Sequence, residues 1–216
     1  MVGIDEAGRG SVLGPLVVGA FCYDDGRSDE LAATGVRDSK QLTARRREEI
    51  RARLDALGDC RSIPLPPRTI DAYVAHGGLN ELELETFAAL VREFRPDVAY
   101  VDACDPNAAR FGERLRARSQ WTGRVVSRHR ADAELIVVGA ASVVAKVARD
   151  AELEALRAAT DEPIGSGYPS DPETRACVER HARDGGAIPP WMRRSWETVK
   201  RVKRARPAST LDRFSP

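Results

Sequence analysis

Two apolar stretches near the start of the chain, Val2 to Ile4 and Leu16 to Tyr23, are rich in branched residues and separated by glycines. That pattern predicts two strands joined by a Gly-rich turn, and a chain that opens this way must build a sheet and cover it. Candidate covers follow. Thr43 to Leu57 is polar and Arg/Glu-rich, with Ile50, Leu54 and Leu57 at helical spacing. Phe87, Leu90, Val91 and Phe94 recur at i, i+3, i+4 and i+7, an amphipathic helix that stops before Pro96. Arg61 to Leu65 (ended by Pro66-Pro67), Val98 to Val101 and Arg124 to Ser127 read as further strands. Asp105-Pro106 has the form of an N-cap followed by proline at the first helical position. Gly139 to Ala159 reads as one long helix whose first half is Ala, Ser and Val, and Asp171-Pro172 opens another towards His181. Strands early, then strands alternating with helices, predict an α/β core with helices on its faces. Residues 1–160 are expected to form that core, 161–206 a C-terminal helical subdomain packed on it, and 207–216 a flexible tail.

Composition narrows the function classes. No apolar run is long enough to cross a bilayer and Met1-Val2-Gly3-Ile4 leads straight into charge, so neither a membrane span nor a signal peptide is expected and the location read is cytoplasmic. Cys22, Cys60, Cys104 and Cys177 are scattered without a Cys-x-x-Cys pair, which argues against zinc and for reduced thiols. The formal net charge of +1 gives the whole molecule no strong field for nucleic acid. Its distribution differs: Arg193, Arg194, Lys200, Arg201, Lys203, Arg204 and Arg206 face one acid, Glu197, over a short stretch.

Three acidic positions stand where chemistry would want them. Asp5-Glu6 ends the first strand, Asp102 ends the strand at Val98 to Val101, and Asp132 precedes the Ala/Ser-rich helix. Any one alone reads as a surface acid. Converging at one sheet edge, four carboxylates repel one another unless cations sit among them. Two divalent ions about 4 Å apart would balance the charge, activate a water and stabilise the leaving oxygen of a phosphodiester. An oxygen-only donor set suits Mg²⁺ or Mn²⁺. Asp105, before Pro106, is explained by capping; Glu134 and Asp150 read as solvated, and His76 and His181 as structural or solvated.

Seven blocks then occur in order: Gly3-Ile4-Asp5-Glu6-Ala7-Gly8-Arg9-Gly10, Asp38-Ser39-Lys40, Val101-Asp102-Ala103, His129-Arg130-Ala131-Asp132, Ala140 to Lys146, Gly165-Ser166-Gly167-Tyr168-Pro169-Ser170-Asp171 and Arg194-Ser195-Trp196. Together they resemble ribonuclease HII, its archaeal branch above all, over residues 3 to about 203. The resemblance implies a ribonuclease H-like mixed sheet flanked by helices, and Asp5, Glu6, Asp102 and Asp132 as catalytic, metal-binding carboxylates. It implies that Gly8-Arg9-Gly10 approaches the ribose 2′-hydroxyl, where glycine lets backbone come close. Tyr168 would lie against the sugar at the ribonucleotide-to-deoxyribonucleotide junction, and Ser39, Lys40 and Lys146 would contact phosphate. Without the family, these residues read as a Gly-rich turn, a half-buried aromatic, a turn before the Thr43 helix and a helix face. The sister ribonuclease HIII carries an extra N-terminal domain and usually a glutamate as fourth acid; with aspartate at position 132 and the first signature block at residues 3–10, ribonuclease HIII is not the expected assignment.

The implied activity is endonucleolytic: cutting the RNA strand of RNA–DNA hybrids, and cutting 5′ of a ribonucleotide embedded in duplex DNA, leaving a 3′-hydroxyl and a 5′-phosphate. Another nuclease of the same fold, such as a resolvase or an exonuclease, and a non-catalytic hybrid-binding module are the alternatives. The second would be expected to lack an acid. Arg193 and Arg194 begin the basic stretch expected to dock the duplex, and a monomer is expected. The tail, Ala208 to Pro216, resembles the sliding-clamp (PCNA) binding peptide Gln-x-x-Leu-x-x-Phe-Phe of archaeal replication enzymes. Leu211 and Phe214 match it, whereas Ala208 stands at the glutamine and Ser215 at the second aromatic.

Overall fold

The computed structural model describes residues 1–36, 42–76, 78–183 and 187–205. The two opening stretches become β1 (Val2–Ala7) and β2 (Leu16–Cys22), antiparallel, with Ile4 opposite Ala20 and Asp5 opposite Gly19. β3 (Asp59–Leu65) pairs antiparallel with β2; β4 (Val98–Asp102) pairs parallel with β1, and β5 (Arg124–Arg128) parallel with β4. The order β3-β2-β1-β4-β5 makes a mixed sheet with β1 at its centre. In chain order the helices are α1 (Ser28–Ala33), α2 (Ala44–Leu57), α3 (Pro67–His76), α4 (Leu79–Phe94), α5 (Ala108–Ser119), α6 (Ala131–Glu134), α7 (Ile136–Thr160), α8 (Pro172–Arg183) and α9 (Glu197–Arg204).

The period of two along each strand divides the core. Val2, Ile4, Leu16, Val18, Ala20, Ala99 and Val101 turn to one face and are buried with Phe87, Leu90 and Val91 of α4 and Phe111 and Leu115 of α5. The Phe87 and Phe111 rings meet edge to face, 5.6 Å between centroids. The opposite face receives α7, and its closeness explains the helix's small residues. A Cβ on Gly3 would lie 2.1 Å from the Val137 carbonyl oxygen, and one on Gly19 2.5 Å from that of Ala141. Helix backbone therefore rests on strand backbone, leaving room for little more than Ala and Ser between them.

Four local expectations change. The first strand runs on to Ala7, so Asp5 and Glu6 lie inside it. Pro67 does not merely end a strand but opens α3, where its missing N–H costs nothing. The N-cap of α5 is Asn107, whose Oδ1 accepts from the Arg110 amide. Asp105 instead accepts from the Asn107 amide two residues on and pairs with Arg110, a side-chain turn that leads into the helix rather than capping it. The long helix starts at Ile136 rather than Gly139.

Beyond α7 the chain packs away from the sheet. Ile164, Cys177, Val178, Ala182, Ile188, Met192 and Val199 form a separate apolar cluster with Val12 and Leu13 of the β1–β2 connection and Leu153 of α7. Asp71 of α3 fastens the segment at its far side, accepting from the amides of Arg194 and Ser195 and from Ser195 Oγ, at 2.6–3.0 Å. The β1–β2 connection is thus held between sheet and C-terminal helices.

Candidate active site

The sheet brings the four acids together. Parallel pairing sets Ile4 opposite Val101, so Asp5 and Asp102 come next along neighbouring strands. Asp102 Oδ1 accepts from the Arg130 amide at 3.0 Å, and the amides of Ala131 and Asp132 face the same carboxylate. The start of α6, and Asp132 with it, is thereby drawn to the edge. Alternation then separates the adjacent pair on β1: Asp5 shares the α7 face with Gly3, whereas Glu6 shares the α4 face with Val2 and Ile4.

Three of the four acids, Asp5, Glu6 and Asp102, are held above the ordinary carboxylate range. Burial lifts Asp5 to about 7; Ser142, whose hydroxyl is buried without a completed hydrogen bond, opposes the rise, and the charges of Asp102 and Asp132 add to it. Burial also raises Glu6, followed by repulsion from Asp5 and Glu83, with Arg9 acting against both; its Oε2 is buried without a hydrogen-bond partner. Asp102 is raised by burial and then by Asp132. Hard divalent cations fit such a group: oxygen donors alone, mutual repulsion, and one buried carboxylate oxygen left unpaired.

Beside the acids lies the Gly8-Arg9-Gly10 turn. Gly8 has φ 85° and is buried, and a Cβ on it would fall 2.2 Å from Arg149 Nε. Position 8 therefore demands glycine twice over, for its backbone and for the guanidinium behind it. A Cβ on Gly10 would lie 4.0 Å from Tyr168 Cε1, so the turn and Tyr168 share one surface. Arg9 points inward. Its guanidinium donates to the Cys104 carbonyl at 2.7 Å and to Asn80 Oδ1 at 2.6 Å, and pairs with Glu83 Oε2 at 3.2 Å. What the turn offers outward is backbone.

Arg193, expected among the docking cations, is fully buried. Its Nε and Nη1 donate to the carbonyls of Gly14 and Arg9, at 3.1 and 3.0 Å, and its guanidinium stacks on Trp196, 4.8 Å from the ring centroid. It braces the turn from beneath and has no reach to a duplex. Arg194, Lys200, Arg201, Lys203 and Arg204 are exposed, and Lys146 is half-buried on α7 one turn beyond Ser142. Ser39, Lys40, Arg206 and the tail residues Leu211 and Phe214 lie outside the described residues.

Two residues escaped the sequence reading. Glu83 is fully buried on α4, held near 7 by burial with Arg9 the chief opposing charge. Its signal is spacing, since 83, 87, 90 and 94 continue the apolar face of α4 backwards. Arg149, buried on α7, is the other. A third group of ligand-type side chains, Glu162, Cys177 and His181, has donor atoms within 4.8 Å of one another. There the Glu162 carboxylate already meets His181 Nε2 at 2.7 Å and faces Arg180, so its charge is answered without an ion.

The profile of the family described as Ribonuclease HII matches residues 2–199. The ribonuclease HII of Thermococcus onnurineus is 44% identical over 206 residues, which cover 94% of this chain and 89% of that protein. Two solved structures superpose closely. The ribonuclease H2 of Pyrococcus horikoshii has a TM-score of 0.87 at 39% identity, covering 94% of this chain and 96% of its own. The ribonuclease HII of Archaeoglobus fulgidus, solved in complex with PCNA, has a TM-score of 0.85 at 37% identity, covering 99% of both chains. With the mixed sheet and the acid edge in place, this chain belongs to the ribonuclease HII family and is a ribonuclease H-type hydrolase.

Proposed function

We propose that the chain hydrolyses the RNA strand of RNA–DNA hybrids and cuts on the 5′ side of a ribonucleotide embedded in duplex DNA, leaving a 3′-hydroxyl and a 5′-phosphate. The convergence of Asp5, Glu6, Asp102 and Asp132 beside a backbone-presenting turn and Tyr168 carries this reading. The four carboxylates would hold two divalent ions, Mg²⁺ or Mn²⁺, which when bound supply activation of a water and charge for the departing 3′ oxygen. Gly8 and Gly10 let backbone reach the 2′-hydroxyl, the group that separates RNA from DNA. Tyr168 packs against the sugar at the junction. Ser39, Lys40, Lys146, Arg194 and the exposed cations of α9 contact phosphates, which fix register without reading sugar or sequence. The enzyme acts as a cytoplasmic monomer in this reading. Leu211 and Phe214 dock a sliding clamp, in keeping with the complex that the Archaeoglobus fulgidus protein forms with PCNA.

The test is cleavage of duplex DNA containing one ribonucleotide, with and without Mg²⁺. One cut 5′ of the ribonucleotide, dependent on the ion, is expected. Equal cutting of an all-DNA duplex or of a branched junction would place the chain with resolvases or exonucleases, and binding without cutting would make it a hybrid-binding module.

A further inference from the structure

Arg149 is 5% exposed, yet its hydrogen bonds go to neutral groups: Nη2 donates to Ser11 Oγ at 2.9 Å and to the Ser166 carbonyl at 3.1 Å. Its Nε has no partner. Such a guanidinium is a poor device for stability, because a buried charge whose hydrogen bonds go to neutral groups is costly, even with the charge of Asp150 favouring it, and an apolar side chain of similar volume would fill the space. The surroundings suggest another role. Gly8 and Gly167 (φ 81°) both lack a Cβ where the guanidinium lies, since a Cβ would fall 2.2 Å from Nε and 3.1 Å from Nη2 respectively. The Tyr168 ring covers the guanidinium, its centroid 4.7 Å from Cζ. Ser11 Oγ lies 2.7 and 2.8 Å from the carbonyls of Leu13 and Gly167, tying the same cation to both loops. One side chain from α7 therefore backs the Gly8 turn, anchors the Ser166-Gly167 loop and lies against the Tyr168 ring.

We propose that Arg149 is a positioning residue that fixes the Tyr168 ring relative to the Gly8-Arg9-Gly10 turn, so that the two close on the junction sugar as one rigid surface. The inference rests on the reading of Tyr168 as the junction contact. It also assigns the two flanking glycines a shared purpose, that of making room for the guanidinium.

A double-mutant cycle on the full chain with Mg²⁺ tests it, using a duplex with one embedded ribonucleotide and reading kcat and KM separately. Arg149→Met keeps the stem and removes the fork. It is expected to lower kcat by roughly tenfold to a hundredfold, with KM nearly unchanged, because misplacement of a contact costs rate more than affinity. Arg149→Lys, which keeps a cation near the ring but lacks the planar guanidinium that lies against it, should recover part of the loss. Tyr168→Ala should lose at least as much as Arg149→Met, and the double variant no more than Tyr168→Ala alone. Losses that multiply in the double variant would show Arg149 acting independently of Tyr168 and overturn the proposal, as would full activity of Arg149→Met. An unaltered kcat in Tyr168→Ala would overturn the junction reading itself, a different result from multiplying losses. Thermal melting checks each variant, and if Arg149→Met does not fold the cycle is run with Arg149→Lys.

Discussion

The two halves of the site are built on opposite principles. At the β1–β4 edge four carboxylates are gathered, and burial and mutual repulsion hold Asp5, Glu6 and Asp102 above their ordinary range. A few residues away, the Gly8 turn is braced by arginines: Arg149 behind it, Arg193 beneath it, and Arg9 anchored to Glu83 and Asn80. The first half stores unfavourable electrostatics that a cation would relieve. The second spends hydrogen bonds to make a short connection rigid. A part that must receive ions is left incomplete, whereas a part that must distinguish one hydroxyl is overdetermined. Mutations should therefore separate the halves: loss of an acid harms activity and spares the fold, while loss of Arg9 or Arg193 harms both.

The largest effect is expected at the acid edge. Asp5→Asn removes charge but little volume, so turnover should fall by more than the roughly 10–100-fold typical of losing an outer-shell partner of a metal site. Without divalent ions the variant should melt at a higher temperature than the parent, because one of the repelling charges is gone. Near-normal turnover of the folded variant would remove Asp5 from the metal set, and a lower melting temperature would contradict the repulsion argument.

Arg9→Ala sharpens the contrast from the other side. It strips the Glu83 carboxylate, which is fully buried, of its ion-pair partner. Breaking such a pair should destabilise the protein by ~3 kcal/mol, the low end for buried pairs because Arg9 is one-third exposed. Adding Glu83→Gln, which removes the stranded charge, should restore part of that stability in urea denaturation. Additive losses in the double variant would mean that Arg9 stabilises through Asn80 and Cys104 instead.

Legibility in the sequence follows the same division. Strand and helix positions are legible because their periodicities are local, and the acids stand out because polar residues at strand ends conflict with burial. The opposite facing of Asp5 and Glu6 depends on the strand reaching Ala7, which three apolar residues do not reveal. Glu83 sits in Leu82-Glu83-Leu84-Glu85, a pattern that looks solvated until position 83 is placed on the face of Phe87. Arg193 heads a run of cations, and nothing local shows that this one folds under Trp196. In each case tertiary packing overrides composition, since the partners lie on distant elements: Arg9 against α4, Arg193 against the β1–β2 connection.

A smaller, graded effect should appear with pH in protein freed of divalent ions. Asp5 stands at about 7 in the fold against an ordinary 3.8, and Glu83 at about 7 against 4.5. The folded state therefore holds protons that the unfolded chain has released, so folding takes up protons between about pH 4 and 7. The stabilisation is present in full below the unfolded values and is lost as pH rises through the folded ones. Each group contributes a slope on the order of 1.4 kcal/mol per pH unit inside its window. Denaturation in chelator should show stability falling from pH 5 to pH 7, less steeply in Asp5→Asn. Saturating Mg²⁺, by favouring the charged carboxylates, should flatten the fall. A stability that rises over this interval would show that the acids are paired in a way this edge does not provide.

The smallest effect on catalysis is expected from removing residues 207–216. Leu211 and Phe214 stand three apart, so one helical turn would carry both anchors on the same side, the arrangement by which short peptides enter an apolar groove. The acid edge and the braced turn are built from residues that precede position 206, and the truncated enzyme should cut short oligonucleotide duplexes at the parent rate. Clamp binding should be where the deletion is felt. With Ala208 at the glutamine position and Ser215 in place of the second aromatic, the affinity should be weak, and calorimetry of the full chain against the organism's own clamp should need high micromolar concentrations. Heat of binding from the full chain, absent from the truncated one, is the expected result. Silence from both would leave Leu211 and Phe214 without a partner, and slower cutting of naked duplex by the truncated chain would mean that the tail touches the substrate.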